Sequence, residues 1–407
     1  MQLTREAPAV RAGSGRILSP FTRTLLALAV IAPALGGGLP DDRADVMWHY
    51  YNGGDVTVQG PSLLVRKKVG NNLSLTAGYY EDMISSASID VKLSASPYHE
   101  TRKQENFGFD YLNGRTTYSA GYIHSREPDY LANTAYYSVS QDLFGDLTTL
   151  TLGYRRGWDR IYENRKDPTT GQIVTDTVYY NGRPATADHR GYSVSLSQIL
   201  TRNLIGDLNY ELLTDEGYLA NPYRQIRYLS LGAGAGFTLA NQVYPGTRTS
   251  NAASVQLKYF LPWRASVAGS YRFFRDTWGI VANTFALDYT QPWHQWIFEG
   301  RLRYYQQTHA DFYSDLFPYA NYQNFTARDR ELAAFHSYTV GAGASYQFRV
   351  PGAPWVSKST ANVAFDHLLV RYSDFRNALL AGQYGAGNEP LYVLNANIFQ
   401  VFVSIWF

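Results

Sequence analysis

The residues with the clearest chemistry sit at alternate positions of one short stretch, I-F-E-G-R-L-R-Y-Y (residues 297–305). Glu299, Arg301 and Arg303 fall on one register; Trp296, Phe298, Leu302 and Tyr304 fall on the other. Successive side chains of a strand point to opposite faces, so one face would be charged and the other apolar. Charged side chains around a water-filled bore are how pores act on ions. The same reading of neighbouring stretches adds Asp110, Arg155, Asp207, Asn209, Glu211, Lys258, Arg272 and Asp288. Asp207, Glu211, Arg272, Glu299, Arg301 and Arg303 are the candidate lumen-lining set. Both signs are present and neither dominates, so pairing of opposite charges across the bore is the competing expectation.

A second group lies in the polar stretch 304–335. Asp311 and Asp315, with Asp329 and Glu331 further on, are hard oxygen ligands of the kind that calcium takes. Their spacing matches no cation-binding loop, so no metal is expected; with Tyr313 and Arg328 they are candidate loop contacts. The stretch D-E-G-Y-L-A-N-P-Y-R (215–224) holds a Pro-aromatic turn, read either as a constriction folded back or as a packed surface loop. Catalysis has little to stand on. The eight histidines are scattered, with His336 and His367 read near strand ends on the outward register. No nucleophile elbow, phosphate loop or zinc-binding helix occurs, so no catalytic residue or cofactor is expected. The chain has no cysteine, which excludes disulfides, thiolate zinc sites and a cysteine nucleophile.

Positioning such faces requires strands. Charged residues are only 17% of the 407, against about a quarter in average soluble domains, and there are 34 tyrosines. Tyrosine suits a wall between lipid and water. Alternating segments of about ten residues recur, joined by short turns at one end and longer loops at the other, as in membrane barrels. The turns fall at 69–72, 113–114, 144–146, 201–203, 261–263, 291–293 and 350–355, several with an adjacent aromatic. Longer polar connections fall around 81–99, 157–190, 213–248, 306–333 and 367–391. Around the Asn113-Gly114 turn, the flanks are expected to pair Phe109 with Tyr118 and Phe107 with Ala120 on an apolar face. Asp110 then pairs with Thr117 on a polar one. Seven hairpins, a first strand near 44–51 and a last near 391–407 give about sixteen strands (range 14–18). The expected fold is all-β: a transmembrane antiparallel β-barrel with short periplasmic turns and long extracellular loops.

The two ends agree with this. The chain closes on N-I-F-Q-V-F-V-S-I-W-F, where Val403, Ile405 and Phe407 are read as a signal to the outer-membrane assembly machinery. At the other end, four arginines precede an apolar run and small residues, an export signal over 1–38 with an unusually long basic lead. The run is too short to span a membrane. Residues 39–407 form one barrel domain. Expected partners are outer-membrane lipid and lipopolysaccharide, that assembly machinery, and a periplasmic or lipoprotein partner. A net charge of +2 gives no reason to expect nucleic acid. The expected location is the cell outer membrane.

Several phrases resemble an uncharacterised family of Gram-negative outer-membrane β-barrel proteins, a domain of unknown function. They include V-T-V-Q-G-P-S-L-L-V-R-K-K-V-G, S-S-A-S-I-D-V, S-Q-D-L-F-G-D-L-T-T-L-T-L-G-Y, N-P-Y-R, Y-F-L-P-W-R-A-S-V, A-D-F-Y-S-D-L-F and A-R-D-R-E-L. They run from about residue 42 to the end. The resemblance implies a barrel and carries no activity. Barrels of sixteen to eighteen strands can leave an aqueous channel, so the expected function is a channel or transporter for small polar or amphipathic solutes. The alternatives are a plugged barrel serving as a sleeve or docking partner for another envelope component, and a membrane-embedded hydrolase.

Overall fold

The computed structural model describes residues 38–407, apart from 87, 95–97, 168, 231, 233 and 235. The export signal expected over 1–38 lies, but for its last residue, outside the described residues. Sixteen barrel strands follow in chain order: β1 (Arg43–Gly53), β2 (Val56–Val69), β3 (Leu73–Ser86), β4 (Tyr98–Asn113), β5 (Thr116–Arg126), β6 (Tyr130–Leu143), β7 (Thr148–Lys166) and β8 (Thr186–Thr201). The second half is β9 (Leu204–Gly217), β10 (Thr247–Phe260), β11 (Ser266–Asp276), β12 (Val281–Trp293), β13 (Trp296–Gln307), β14 (Phe335–Phe348), β15 (Lys358–Arg376) and β16 (Leu391–Trp406). Each pairs antiparallel with its neighbour in the chain. β16 closes on β1, from Arg43 opposite Trp406 to Gly53 opposite Ala396. Closure leaves no unpaired strand edge, which a lipid-embedded sheet cannot tolerate.

The period-two pattern sorts the wall as the sequence implies. On β16, Phe399, Val401 and Val403 are exposed on the outer face while Ser404 points inward and is buried. Near the short turns, Trp263, Trp293, Trp296 and Trp355 stand exposed. Trp296 packs on Tyr346 at 4.7 Å and Trp355 meets Phe407 at 6.3 Å. This is an aromatic girdle at one rim of an apolar belt.

Two turns differ in detail from expectation. Asn113 is the last residue of β4, and the turn is Gly114-Arg115, with positive φ at Gly114 (62°). Glycine as the first central residue is what a type II′ hairpin takes, where two positive-φ residues would make type I′. The register therefore slips by two: Tyr111 faces Tyr118 and Phe109 faces Ala120. A slip of two keeps every side chain on its face, so the apolar and polar sorting survives. The expected turn at 291–293 is strand: Pro292 pairs with Ile297, and the reversal is at His294-Gln295, where His294 has φ 54°. At the opposite rim several strands overshoot the belt. The long connections are accordingly shorter than expected, at 167–185, 218–246, 308–334 and 377–390, while 54–55, 127–129 and 277–280 are tight.

Candidate functional site

The lumen wall carries the expected charges, and most are paired. Arg301 Nη2 donates to both carboxylate oxygens of Asp366 at 3.0 Å, and its Nη1 reaches Glu299 at 3.3 Å. Arg155 Nη2 donates to Glu211 at 2.6 Å, and Arg272 lies 4.0 Å from the same carboxylate. Arg303 and Asp207 have no ion-pair partner among the described residues. Arg303 is exposed, its guanidinium 5.8 Å from the Tyr305 ring centre. Several of these groups stay open to the bore: Glu299 is 43% and Arg272 41% exposed at the side chain. The wall is therefore wet, and pairing runs along it between nearby strands.

Glycines make that geometry possible. Arg301 on β13 and Asp366 on β15 are two strands apart, with Gly341 of β14 between them in register. A Cβ at Gly341 would lie 1.8 Å from Asp366 Oδ1. The side chains thus lie flat over a bare stretch of backbone. A second case was not legible in the sequence. His49 of β1 pairs with Gly60 and reaches past it to Asp82 of β3, Nε2 to Oδ1 at 2.8 Å. Its ring stacks on Tyr80 at 4.6 Å, and Arg102 Nε lies 3.4 Å from Asp82. All but Tyr80 are nine-tenths buried or more, so this corner is a brace rather than a water-facing surface.

Over the long-loop end sits a cap. The segments 218–246, 308–334 and 377–390 fold against one another, with a hairpin of Gln225–Leu229 and Phe237–Asn241 at the centre. Bridges link Tyr228 to Phe317, Val243 to Thr326 and Tyr313 to Ala327. Beneath, Phe312, Leu332 and Ala333 pack with Phe335, Val370, Tyr372 and Leu394. The last four are inward-facing barrel residues, so the cap's apolar underside is seated within the mouth. Of 215–224, residues 215–217 end β9 and 218–224 turn in over the mouth: Leu219 packs into that cluster, and the Tyr223 hydroxyl donates to Asp129 at 2.5 Å.

The cap's polar layer is made of arginines and carboxylates. Arg227 is fully buried; it donates to the Asp315 carbonyl at 2.8 Å and to the carboxylates of Asp315 and Glu389. Arg328 Nη2 also holds Asp315, at 3.0 Å. Arg224 holds Glu331 at 2.8 Å and Asp329 at 3.1 Å, and the Tyr244 hydroxyl donates to Asp329 at 2.5 Å. Burial pushes the Glu331 carboxyl up, but Arg224 and Arg330 outweigh it and leave it at about 2. Burial raises Asp329, with the neighbouring Glu331 charge adding to it, and it raises the Tyr244 phenol well above its usual range. For Glu389 the Arg227 guanidinium overcomes burial and holds the carboxyl low.

Of the expected loop residues, Asp315, Arg328, Asp329, Glu331 and the buried Tyr313 all lie in this cap. Asp311 stands apart and exposed, its carboxylate over Gly279. The acidic residues are separated among arginines and form no common cation site. The structure places three other carboxylates together: ligand atoms of Glu100, Glu127 and Asp129, all buried, lie within 4.8 Å of one another and have the chemistry to hold a hard cation. The outward histidines are as expected in direction, but His367 lies mid-strand, 2.9 Å from Asn397. Sequence reasoning missed Arg227 and Glu389. They are 162 residues apart in stretches with no periodicity, so no local signal joins them.

A family model described as a protein of unknown function (DUF3570) matches residues 89–366. Compared by sequence with curated proteins, the chain matches none. Similar solved structures include a bacterial polysaccharide outer membrane secretin, at 7% identity and TM-score 0.46, covering 91% of this chain and 100% of that one. A Pseudomonas aeruginosa FadL homologue is similar at 11% and 0.42, covering 91% of each chain. Pseudomonas aeruginosa OpdK with vanillate is similar at 10% and 0.42, covering 91% and 99%. The chain belongs to the DUF3570 family of proteins of unknown function and folds as a closed sixteen-strand antiparallel β-barrel.

Proposed function

We propose that this barrel is a gated channel or transporter for small polar or amphipathic solutes, closed at its extracellular mouth by the cap. The observation that carries the reading is the contrast in wetness along the axis: Glu299, Arg272 and Arg303 stand open to solvent inside the wall, and a fully buried Arg227–Glu389 pair lies in the lid above them. A barrel built only as a filled post has no use for accessible charge on its inner wall. Export by an N-terminal signal, insertion by the outer-membrane assembly machinery through the Val403, Ile405 and Phe407 pattern, and a lipopolysaccharide surround complete the proposal. No catalytic residue is assigned.

The test is single-channel recording of the refolded mature chain in planar bilayers. Native protein should give rare, brief openings, and Glu389→Ala should lengthen them. Arg303→Gln should move the selectivity toward cations, because it removes an inward positive charge with no ion-pair partner among the described residues. A silent bilayer with both native and Glu389→Ala protein, each shown to be folded by heat-modifiable migration, would defeat the channel. The second reading, a plugged barrel that docks another envelope component, would then stand; the dry packing of the cap is what favours it.

A further inference from the structure

On the outer side of the cap, the segment 316–327 reads L-F-P-Y-A-N-Y-Q-N-F-T-A and carries no charge. Tyr319, Tyr322 and Phe325 are 56, 51 and 42% exposed, an unusual amount of aromatic surface for a polar loop. Tyr322 is held against Phe317 and Tyr319 by ring contacts, so the ridge is packed in place. Beside it runs a groove of about 500 Å³, lined by Thr247, Thr277, Asp311, Gln323, Asn324 and Phe325. That volume falls in the range of small-molecule sites. Trp278 and Phe312 make its floor, crossed edge to face at 5.1 Å.

The groove's one carboxylate is positioned by a glycine. Gly279 has φ +86°, and a Cβ there would lie 2.2 Å from Asp311 Oδ1. The Asp311 backbone N–H is tied to the Trp278 carbonyl at 2.8 Å. No side chain among the described residues bonds the Asp311 carboxylate, which is left as an acceptor facing the groove.

We infer that this groove and its aromatic ridge bind a neutral, polyhydroxylated solute of saccharide size at the extracellular mouth. The chemistry separates the solute classes. An anion meets only the Asp311 charge and no cation in the lining. An organic cation has no open cage, because the Trp278 and Phe312 rings are buried in the floor and Arg248 already lies 4.5 Å from the Trp278 ring centre. Hydroxyls find acceptors and donors in Asp311, Thr247, Thr277, Gln323 and Asn324. The apolar face of a sugar ring finds Phe325 in the lining. This inference names the solute class for the gate and rests on the channel reading for its purpose, but binding can be measured without conduction.

The experiment is isothermal titration of the folded full-length barrel in a detergent without a sugar headgroup. The probes are glucose, maltose and N-acetylglucosamine, with spermidine and succinate as charged comparisons. At least one neutral sugar should bind. Asp311→Asn and Phe325→Ala should each weaken it, roughly threefold to tenfold, as for the exchange of a charged acceptor for a neutral one or the loss of one aromatic contact. Arg371→Gln, on the outer barrel face, should not. Binding by spermidine or succinate alone, no binding by any sugar, or sugar binding indifferent to both groove substitutions would overturn the inference. Sugar binding that both substitutions weaken, by a barrel that never conducts, would uphold it while removing the channel.

Discussion

The same chemical pair, guanidinium with carboxylate, is used in two surroundings that give it opposite meanings. In the lumen, Arg301 and Asp366 keep 29 and 20% of their side chains exposed. In the cap, Arg227 and Glu389 keep none. A half-wet pair adds little stability, because water competes for both partners. A dry pair is costly to bury and far more costly to break, because removing one partner strands the other's charge. The lumen pairs are therefore adjustable surface, whereas the cap pairs tie the three cap segments to one another.

That contrast can be broken at its strong end first. Glu389→Ala leaves Asp315 as the one carboxylate shared by the buried Arg227 and Arg328, an excess of buried positive charge, and the expected cost to the cap is about 3–5 kcal/mol. Limited proteolysis should then cut within 377–390 or 308–334 while heat-modifiable migration of the barrel persists; equal protection in variant and native protein would refute the lid. Next in size is Gly341→Ala, whose new Cβ meets Asp366 Oδ1 at 1.8 Å. Overpacking of this kind costs about 1–3 kcal/mol, read as a lowered temperature for the heat-modifiable transition. Weakest is Arg272→Gln, which removes a 4.0 Å contact between exposed groups. Its effect on the same transition should stay below about 0.5 kcal/mol.

Acid offers a graded version. Glu331 is held at about 2 in the folded cap, against 4.5 for an ordinary glutamate. Its contribution is whole above pH 4.5 and fades as pH falls toward 2. Asp329, raised by burial, works in the opposite sense. Hydrogen exchange of 308–334 should stay slow from neutral pH down to about 4.5 and quicken below it. Quickening that begins well above that value would assign the latch to another group.

The barrel was legible because membrane strands repeat one rule sixteen times, and parity survives small errors. The two-residue slip at Gly114 changed partners without changing faces, so Asp110 still points inward. Glu299, Arg301 and Arg303 share one face of their strand by the same parity. Their pairing was not readable, since Arg301 meets Asp366 only through the gap at Gly341, 25 residues before that aspartate. The cap was legible only as length and polarity. Arg227, Asp315, Arg328 and Glu389 come from three loops without period, and nothing in a local window says that two arginines and two acids will share one dry site. The His49–Asp82 brace escaped for a related reason: Gly60-Pro61 reads as an interruption, whereas it is the opening that lets the histidine cross β2.

The bare glycines under the lumen pairs have an electrical consequence. A guanidinium laid flat against its carboxylate is a short dipole lying along the wall, and a dipole's field dies away faster with distance than that of a lone charge. A solute travelling near the axis would therefore feel little of Arg301, although it is charged, and much more of Arg303, which has no such neighbour. The wall can be rich in ions and still nearly silent to what passes, apart from groups such as Arg303 and Asp207 that have no ion-pair partner among the described residues.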